Sequence, residues 1–249
     1  MQFSLEIELL LALSMFLGAV LYTSVGHAGA SAYIAMMALF GVPAATMRPT
    51  ALVLNIIVAG YASSHYIKAG LFRFRTLWPF LLGALPMAIL GGYIQIPGQF
   101  YRPVVGVVLL IAALRLLWVK NPKSNTEWKD PPIWLAIPAG AAIGFLSGLT
   151  GTGGGIFLSP LILFLAWSET RTASGVAAVF ILCNSTAGLL GNLASVRALP
   201  AELPLYAVAV LLGAVVGTSI GVGKLPQNGV IRALGVVLII AGFKLIGVY

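Results

Sequence analysis

The chain has 249 residues, of which 60% are hydrophobic and only 8% are charged. Soluble domains carry about 25% charged residues, so a water-soluble fold is excluded, and the mean hydropathy of +1.03 fits a polytopic α-helical membrane protein. The net charge of +8 sits in a few connecting segments, which suits orientation by the positive-inside rule and not nucleic-acid binding.

In chain order, the opening "MQFSLEIELLLALSMFLGAV" carries Glu6 and Glu8 and no Lys or Arg, the wrong flank for a signal peptide. It is expected to belong to the mature fold, within an apolar stretch over Leu5–Phe40. Helices of about bilayer length are predicted at Pro49–Tyr66, Leu77–Tyr93 and Pro103–Val119. The most polar segment, "KNPKSNTEWKDPP" (Lys120–Pro132), follows as a natural midpoint. A second apolar stretch, Ile133–Trp167, precedes predicted helices at Ala173–Ser195, Leu205–Gly221 and Val230–Val248. The organisation expected is a first transmembrane repeat (1–119), a polar cytoplasmic linker (120–132) and a second repeat (133–249). One cysteine, Cys183, excludes an intrachain disulfide or a CxxC motif.

The halves resemble each other. "LLGALPMAILGGYIQIP" (Leu81–Pro97) has a counterpart in "LLGAVVGTSIGVGKLP" (Leu211–Pro226), and "VGVVLLIAALRLL" (Val105–Leu117) in "LGVVLIIAGFKLI" (Leu234–Ile246). "AGYASS" (Ala59–Ser64) lines up with "AGLLGN" (Ala187–Asn192), and "VGHAGAS" (Val25–Ser31) takes the place of "TGTGGGI" (Thr150–Ile156). Each apolar stretch of about 35 residues would make a helix of about 50 Å, longer than the roughly 30 Å apolar core. A glycine break turns it into two shorter helices, on the order of 20 Å each, forming either a re-entrant hairpin or two tilted crossings. Either way each half has an odd number of crossings, so the repeats are expected to be inverted. Lys68, Arg73 and Arg75 in the first half against Arg197 and Glu202 in the second agree with that. The predicted fold class is therefore an all-α integral membrane protein with about eight hydrophobic helical segments, in two homologous inverted repeats, each with a glycine-broken helix pair at mid-membrane.

Non-helical backbone inside a bilayer is tolerated only where it is buried in protein or lines a cavity. The helix starting near Gly155 presents free N–H groups and the positive end of its dipole. Gly153, Gly154 and Gly155 let an anion approach without Cβ interference; Gly151 belongs to the same break, and Thr150 and Thr152 add hydroxyls. Gly26, His27, Ala28, Gly29 and Ser31 offer the same in the first half. Facing half-helix N-termini are how inverted-repeat transporters hold anionic substrates. Asn55 and Asn184, at similar places in equivalent helices, can donate to an oxyanion or bond between helices. Arg48 and Arg171 start equivalent helices close to the membrane surface, where they can attract anions but read first as snorkelling anchors. His27 titrates near neutrality when unperturbed and is the candidate for coupling. The P-loop and dinucleotide patterns both fail, because Ile156 and Phe157 follow Gly155. All six acids, Glu6, Glu8, Glu127, Asp130, Glu169 and Glu202, lie at termini, linkers or span ends, so no carboxylate relay is expected. Packing through small residues is the competing explanation for the glycines.

"GLTGTGGGIFLSPLIL" and "SVGHAGASAYIAMMAL", in equivalent halves, resemble the TauE/SafE sulfite exporter family over nearly the whole chain. The resemblance implies a secondary transporter for a small sulfur-containing anion such as sulfite, thiosulfate or an organosulfonate, in the exporting direction. It also implies a multi-pass protein of the inner (plasma) membrane. No Ser/His/Asp set, paired buried acids or metal-ligand cluster stands in the sequence, so no cofactor, metal or catalytic group is expected. The partners expected are that anion and the lipid bilayer, with homodimerisation open. An uncoupled anion channel is the alternative. Ala28 and Ala30 stand where the second half has glycine, which predicts an asymmetric site.

Overall fold

The computed structural model describes residues 4–24, 26–118, 128–193, 199–222, 238–240 and 242–247. Among these, every regular element is helical. In order they are α1 (Leu5–Ser24), α2 (Ala30–Leu39), α3 (Ala44–Lys68), α4 (Phe74–Tyr93), α5 (Gly98–Trp118), α6 (Ile133–Thr150), α7 (Gly155–Phe164), α8 (Thr170–Gly191) and α9 (Leu203–Val222). A further helical piece covers 238–240 and 242–246. Most of the predicted Val230–Val248 span, Arg197, Val119 and residues 120–127 of the linker lie outside the described residues.

Six of these helices are long and apolar enough to cross a membrane. Leu9, Leu10, Leu13 and Leu17 on α1 and Leu82, Ile89 and Leu90 on α4 are exposed, as a lipid-facing surface requires. The protein is an all-α, multi-pass membrane protein. Helix starts differ from the sequence expectation at prolines. Pro49 and Pro103 were read as first residues, yet α3 begins at Ala44 and α5 at Gly98. Each proline is the sixth residue of its helix and removes one backbone bond in the second turn, so it marks the start only loosely.

The broken stretches also divide unevenly. α1 has 20 residues and α2 has 10; α6 has 18 and α7 has 10. At 1.5 Å per residue each pair is a helix of about 30 Å followed by one of about 15 Å, and not two equal halves.

At the centre α3 and α8 run antiparallel. Asn55 bonds Ser185, and an added Cβ at Gly175 would touch Tyr66. Two parallel pairs flank them. Gly140, Gly144 and Gly148 of α6 press in step on Phe80, Ala84 and Ala88 of α4. Gly213, Gly217 and Gly221 of α9 press on Phe16, Val20 and Ser24 of α1 in the same way. In each case backbone meets backbone, the geometry that small residues at every fourth position allow.

The connections fix two ends of the bundle. At one end Arg73 bonds Asp130 at 3.3 Å, and the Lys129 N–H donates to the Ala166 carbonyl at 3.4 Å. The start of α6 and the end of α7 are therefore at one level, and that pair is a hairpin. Gly175, near the start of α8, packs on Leu71 at this same end. The Arg73–Asp130 pair is about 40% exposed on both sides, so it reports position more than stability.

Candidate functional site

Both breaks are built on glycines in the left-handed region. Gly26 (φ 79°) and Gly151 (φ 85°) follow the longer helices, and Gly29 (φ 101°) and Gly154 (φ 80°) cap the shorter ones. Gly153 (φ 79°) adds a third in the second break, where Ala28 stands in the first. A residue with a Cβ is disfavoured at such angles. That geometry is why the glycines recur at matched places.

The structure brings the two breaks together. The His27 Nε2–H donates to the Gly155 carbonyl at 3.1 Å, and the Asn55 amide lies against Gly153. Asn55 lies eleven residues past the start of α3, and Ile181, which packs on Gly155, lies eleven past the start of α8. The junction of the breaks is thus beside the middle of both central helices.

The two N-termini are not alike. In α2 the Ala30 N–H donates to Asn55 Oδ1 at 3.1 Å, and Asn55 Nδ2 donates to Ser185 Oγ at 2.9 Å. Both ends of that amide are engaged, so α2 is capped. In α7 the first intrahelical bond is from Phe157 N–H to the Gly154 carbonyl at 3.1 Å. The N–H groups just before it are those that a helix leaves without internal partners; they are carried by Gly154, Gly155 and Ile156, next to Gly153. Around them Ile143 and Phe180 crowd Gly154, at 2.9 and 3.0 Å from where a Cβ would stand. This nest is closed by packing.

Asn184 is the other amide at the nest. Its Nδ2 donates to Ser147 Oγ at 2.7 Å and to the Gly153 carbonyl at 3.2 Å, while its Oδ1 is buried without a partner. It lies fourteen residues into α8, three further along than Asn55 lies in α3. The two amides differ in their partners: Asn55 caps α2, while Asn184 reaches the backbone of the second break and Ile181 packs on Gly155.

The remaining predicted residues lie elsewhere. Ser31 donates to the Tyr22 hydroxyl at 2.8 Å, between α1 and α2. Gly26 packs on Ser174. Thr150 Oγ1 donates to the Leu146 carbonyl at 2.7 Å and accepts from Thr152 Oγ1 at 3.0 Å. Those threonine hydroxyls are spent within the protein. Gly151 packs on Arg48, and the Thr150 carbonyl accepts from Tyr101 at 2.8 Å.

Sequence reasoning missed Tyr22, Tyr33, Tyr101 and Ser147, while Ser185, which reads as a packing residue or a ligand, bonds Asn55. Tyr33 donates to the Ala28 carbonyl at 2.6 Å; the signal available was a polar tip on a helix with no other need for one. Arg48 was misread. It is buried, with Nη1 on the Ile94 carbonyl at 2.9 Å and Nη2 on that of Gly91 at 2.8 Å and also on that of Gly92. It therefore holds the end of α4 instead of snorkelling.

Residues 10–245 match the family described as sulfite exporter TauE/SafE. A probable membrane transporter protein, y4hK, of Sinorhizobium fredii (strain NBRC 101917 / NGR234) is 40% identical over 239 residues, covering 95% of this chain and 97% of that protein. The probable membrane transporter protein YunE of Bacillus subtilis (strain 168) is 24% identical over 216 residues, 78% of each chain. No solved structure gives a significant match. With a family match across almost all of its length and a relative of this identity, the chain belongs to the TauE/SafE sulfite exporter family and is a membrane transporter.

Proposed function

We propose that the protein is a secondary transporter of the inner membrane that exports a small sulfur-containing anion, bound at the Gly153–Gly155 nest of α7. The observation that carries this reading is the uncapped N-terminus of a half-helix beside the middle of the two central helices. Its N–H groups and dipole favour an anion, and the bilayer gives those groups no water to bond. The unpartnered Asn184 Oδ1 suits an oxyanion that carries a proton, such as hydrogen sulfite. The close packing of Ile143 and Phe180 on Gly154 favours a carrier over an open channel, because something must move before a substrate enters. Uptake of radiolabelled sulfite into proteoliposomes tests the reading. Saturation and counterflow are expected, and flux without either would make the protein a channel.

The repeats are inverted in this proposal. Support comes from the pairings: α1 runs with α9 and α6 with α4, while α3 opposes α8. The linker end carries Lys68, Arg73, Arg75, Lys129 and Arg171 and is assigned to the cytoplasm. A reporter fused at Lys123 should then read cytoplasmic and one after Tyr249 periplasmic. Both on one side would make the repeats parallel.

His27 gives a pH test. Around its ring stand Tyr22, edge-on at a centroid distance of 6.2 Å, and the Gly155 carbonyl at 3.1 Å. Protonation adds positive charge beside the nest, so proton and anion should bind cooperatively. Affinity for a permanently ionised sulfonate is expected to fall as pH rises through neutrality, and His27→Gln to flatten that slope. An unchanged slope in a folded His27→Gln protein would leave the residue a purely structural tie between the breaks.

A further inference from the structure

A cavity of about 170 Å³ lies at the end of the bundle opposite the Arg73–Asp130 pair, with Ala44, Arg48, Gln95, Tyr101 and Asn192 in its wall. It is polar for a membrane protein, and its chemistry is cationic. Arg48 is 4% exposed, and a guanidinium stays charged at any relevant pH. Its partners are the carbonyls that end α4, and no carboxylate lies within ion-pair distance among the described residues. Those carbonyls engage Nη1 and Nη2, while Nε is buried without a partner. Asn192 is fully buried and repeats the pattern. Its Oδ1 accepts from Gln95 at 2.9 Å, and its Nδ2 has no partner.

Arg48 and Asn192, which both border the cavity, thus each hold a buried N–H donor with nothing to bond; neither atom is open to the cavity, so a ligand there reaches them only when these side chains turn. A buried donor left unsatisfied costs about 1–3 kcal/mol, and more where it is charged. A buried cation is retained at such a place only when something compensates it. A guanidinium and an amide N–H together match the oxygens of a small oxyanion.

The cavity also touches the transport machinery. Gly151 packs on the Arg48 side chain, with 3.2 Å from where its Cβ would stand to Arg48 Cγ. Tyr101 spans the wall and the Thr150 carbonyl at 2.8 Å. The second break therefore has one end at this cavity and the other at the nest.

We propose that this cavity is a second oxyanion-binding subsite, in which Arg48 and Asn192 hold the anion in line with the nest of α7. As a stage of transport it rests on the function proposed above, and as a binding site it does not.

The test is equilibrium binding of radiolabelled sulfite to purified wild-type protein, Gly154→Val, Asn192→Asp and the double variant. Asn192→Asp retains the oxygen that accepts from Gln95, so the fold is kept, and it replaces the donor by a carboxylate facing Arg48. Gly154→Val is expected to retain a residual binding component. Asn192→Asp in that background should weaken the component at least tenfold. Arg48→Lys, which keeps the charge and removes Nε, should weaken it as well; should that variant fail to fold, the aspartate result stands without it. Loss of all binding in Gly154→Val, or residual binding that Asn192→Asp leaves unchanged, would overturn the subsite. Wild-type affinity in Gly154→Val with loss in Asn192→Asp would instead keep the subsite and remove the nest. A wild-type protein that binds no sulfite overturns the subsite as a sulfur-oxyanion site.

Discussion

Gly154→Val is expected to reduce transport by about a hundredfold or more while the protein still inserts. Three effects act at this position. The residue has φ 80°, a conformation that a β-branched side chain rarely adopts. The new Cβ would stand 2.9 Å from Ile143 Cγ2, 3.0 Å from Phe180 Cε1 and 3.2 Å from Asn184 Nδ2, so the nest must shift. It would also cover the first N–H groups of α7. Losing one or two hydrogen bonds to an ion, at about 1.5–3 kcal/mol each, gives on the order of a hundredfold. The neighbours are side-chain ends and not backbone, so the helices can give way and the fold survives. Gly154→Ala, with less bulk at the same φ, should fall between the two. Size-exclusion profiles of detergent-solubilised protein check insertion, and proteoliposome flux checks function. A well-folded valine variant moving sulfite at the wild-type rate would falsify the nest.

Much of this arrangement is legible in the residues themselves. The breaks could be located because glycine is the residue that left-handed backbone favours, and Gly26, Gly29, Gly151 and Gly154 recur at one spacing. The duplicated pattern also anticipated two half-helices meeting. What escaped notice depends on single contacts across the bundle. That Asn55 caps α2 while Ile181 leaves α7 uncapped follows from the register of α3 and α8 against the breaks. Asn55 and Asn184 lie at similar places in their helices, yet Asn55 accepts from a half-helix N–H and Asn184 donates to a carbonyl of the second break. Arg48, near a predicted helix start, reads as a surface anchor because nothing local says that the end of α4 lies beside it. The hairpin form of the second break was undecidable by length, since a stretch of that size suits a crossing as well; Lys129 against Ala166 is a contact between residues 37 apart in number. The glycines also serve two separate purposes. Those with positive φ make turns, whereas Gly140, Gly144 and Gly148 lie inside a helix and owe their presence to packing.

That second group carries the other large effect. Gly144→Leu is expected to cut the yield of folded protein several-fold, with no selective effect on transport. The added Cβ would stand 2.6 Å from Ala84 Cα and 2.8 Å from Ala84 C, and would press on that carbonyl oxygen as well. These are backbone atoms of α4, which cannot rotate out of the way as a side chain does. Relief requires the two helices to separate along their length, and overpacking of this kind costs on the order of 3 kcal/mol. In a bilayer the helices gain little by being apolar, so van der Waals contact along the seam is most of what joins them. Gly217→Leu puts the same question to the other pair, since its Cβ would fall 2.9 Å from Val20 C. The two parallel seams are built alike, so the losses should be alike, each several-fold in yield of monodisperse protein and together complete. The Gly41→Leu control, where an added Cβ meets nothing within 4 Å, bears only the strain of its φ of 78° and should remain folded. Normal yield and thermal stability in Gly144→Leu would mean that α4 and α6 are not held by backbone contact, and the role of this seam as the scaffold of the second hairpin would fall with it.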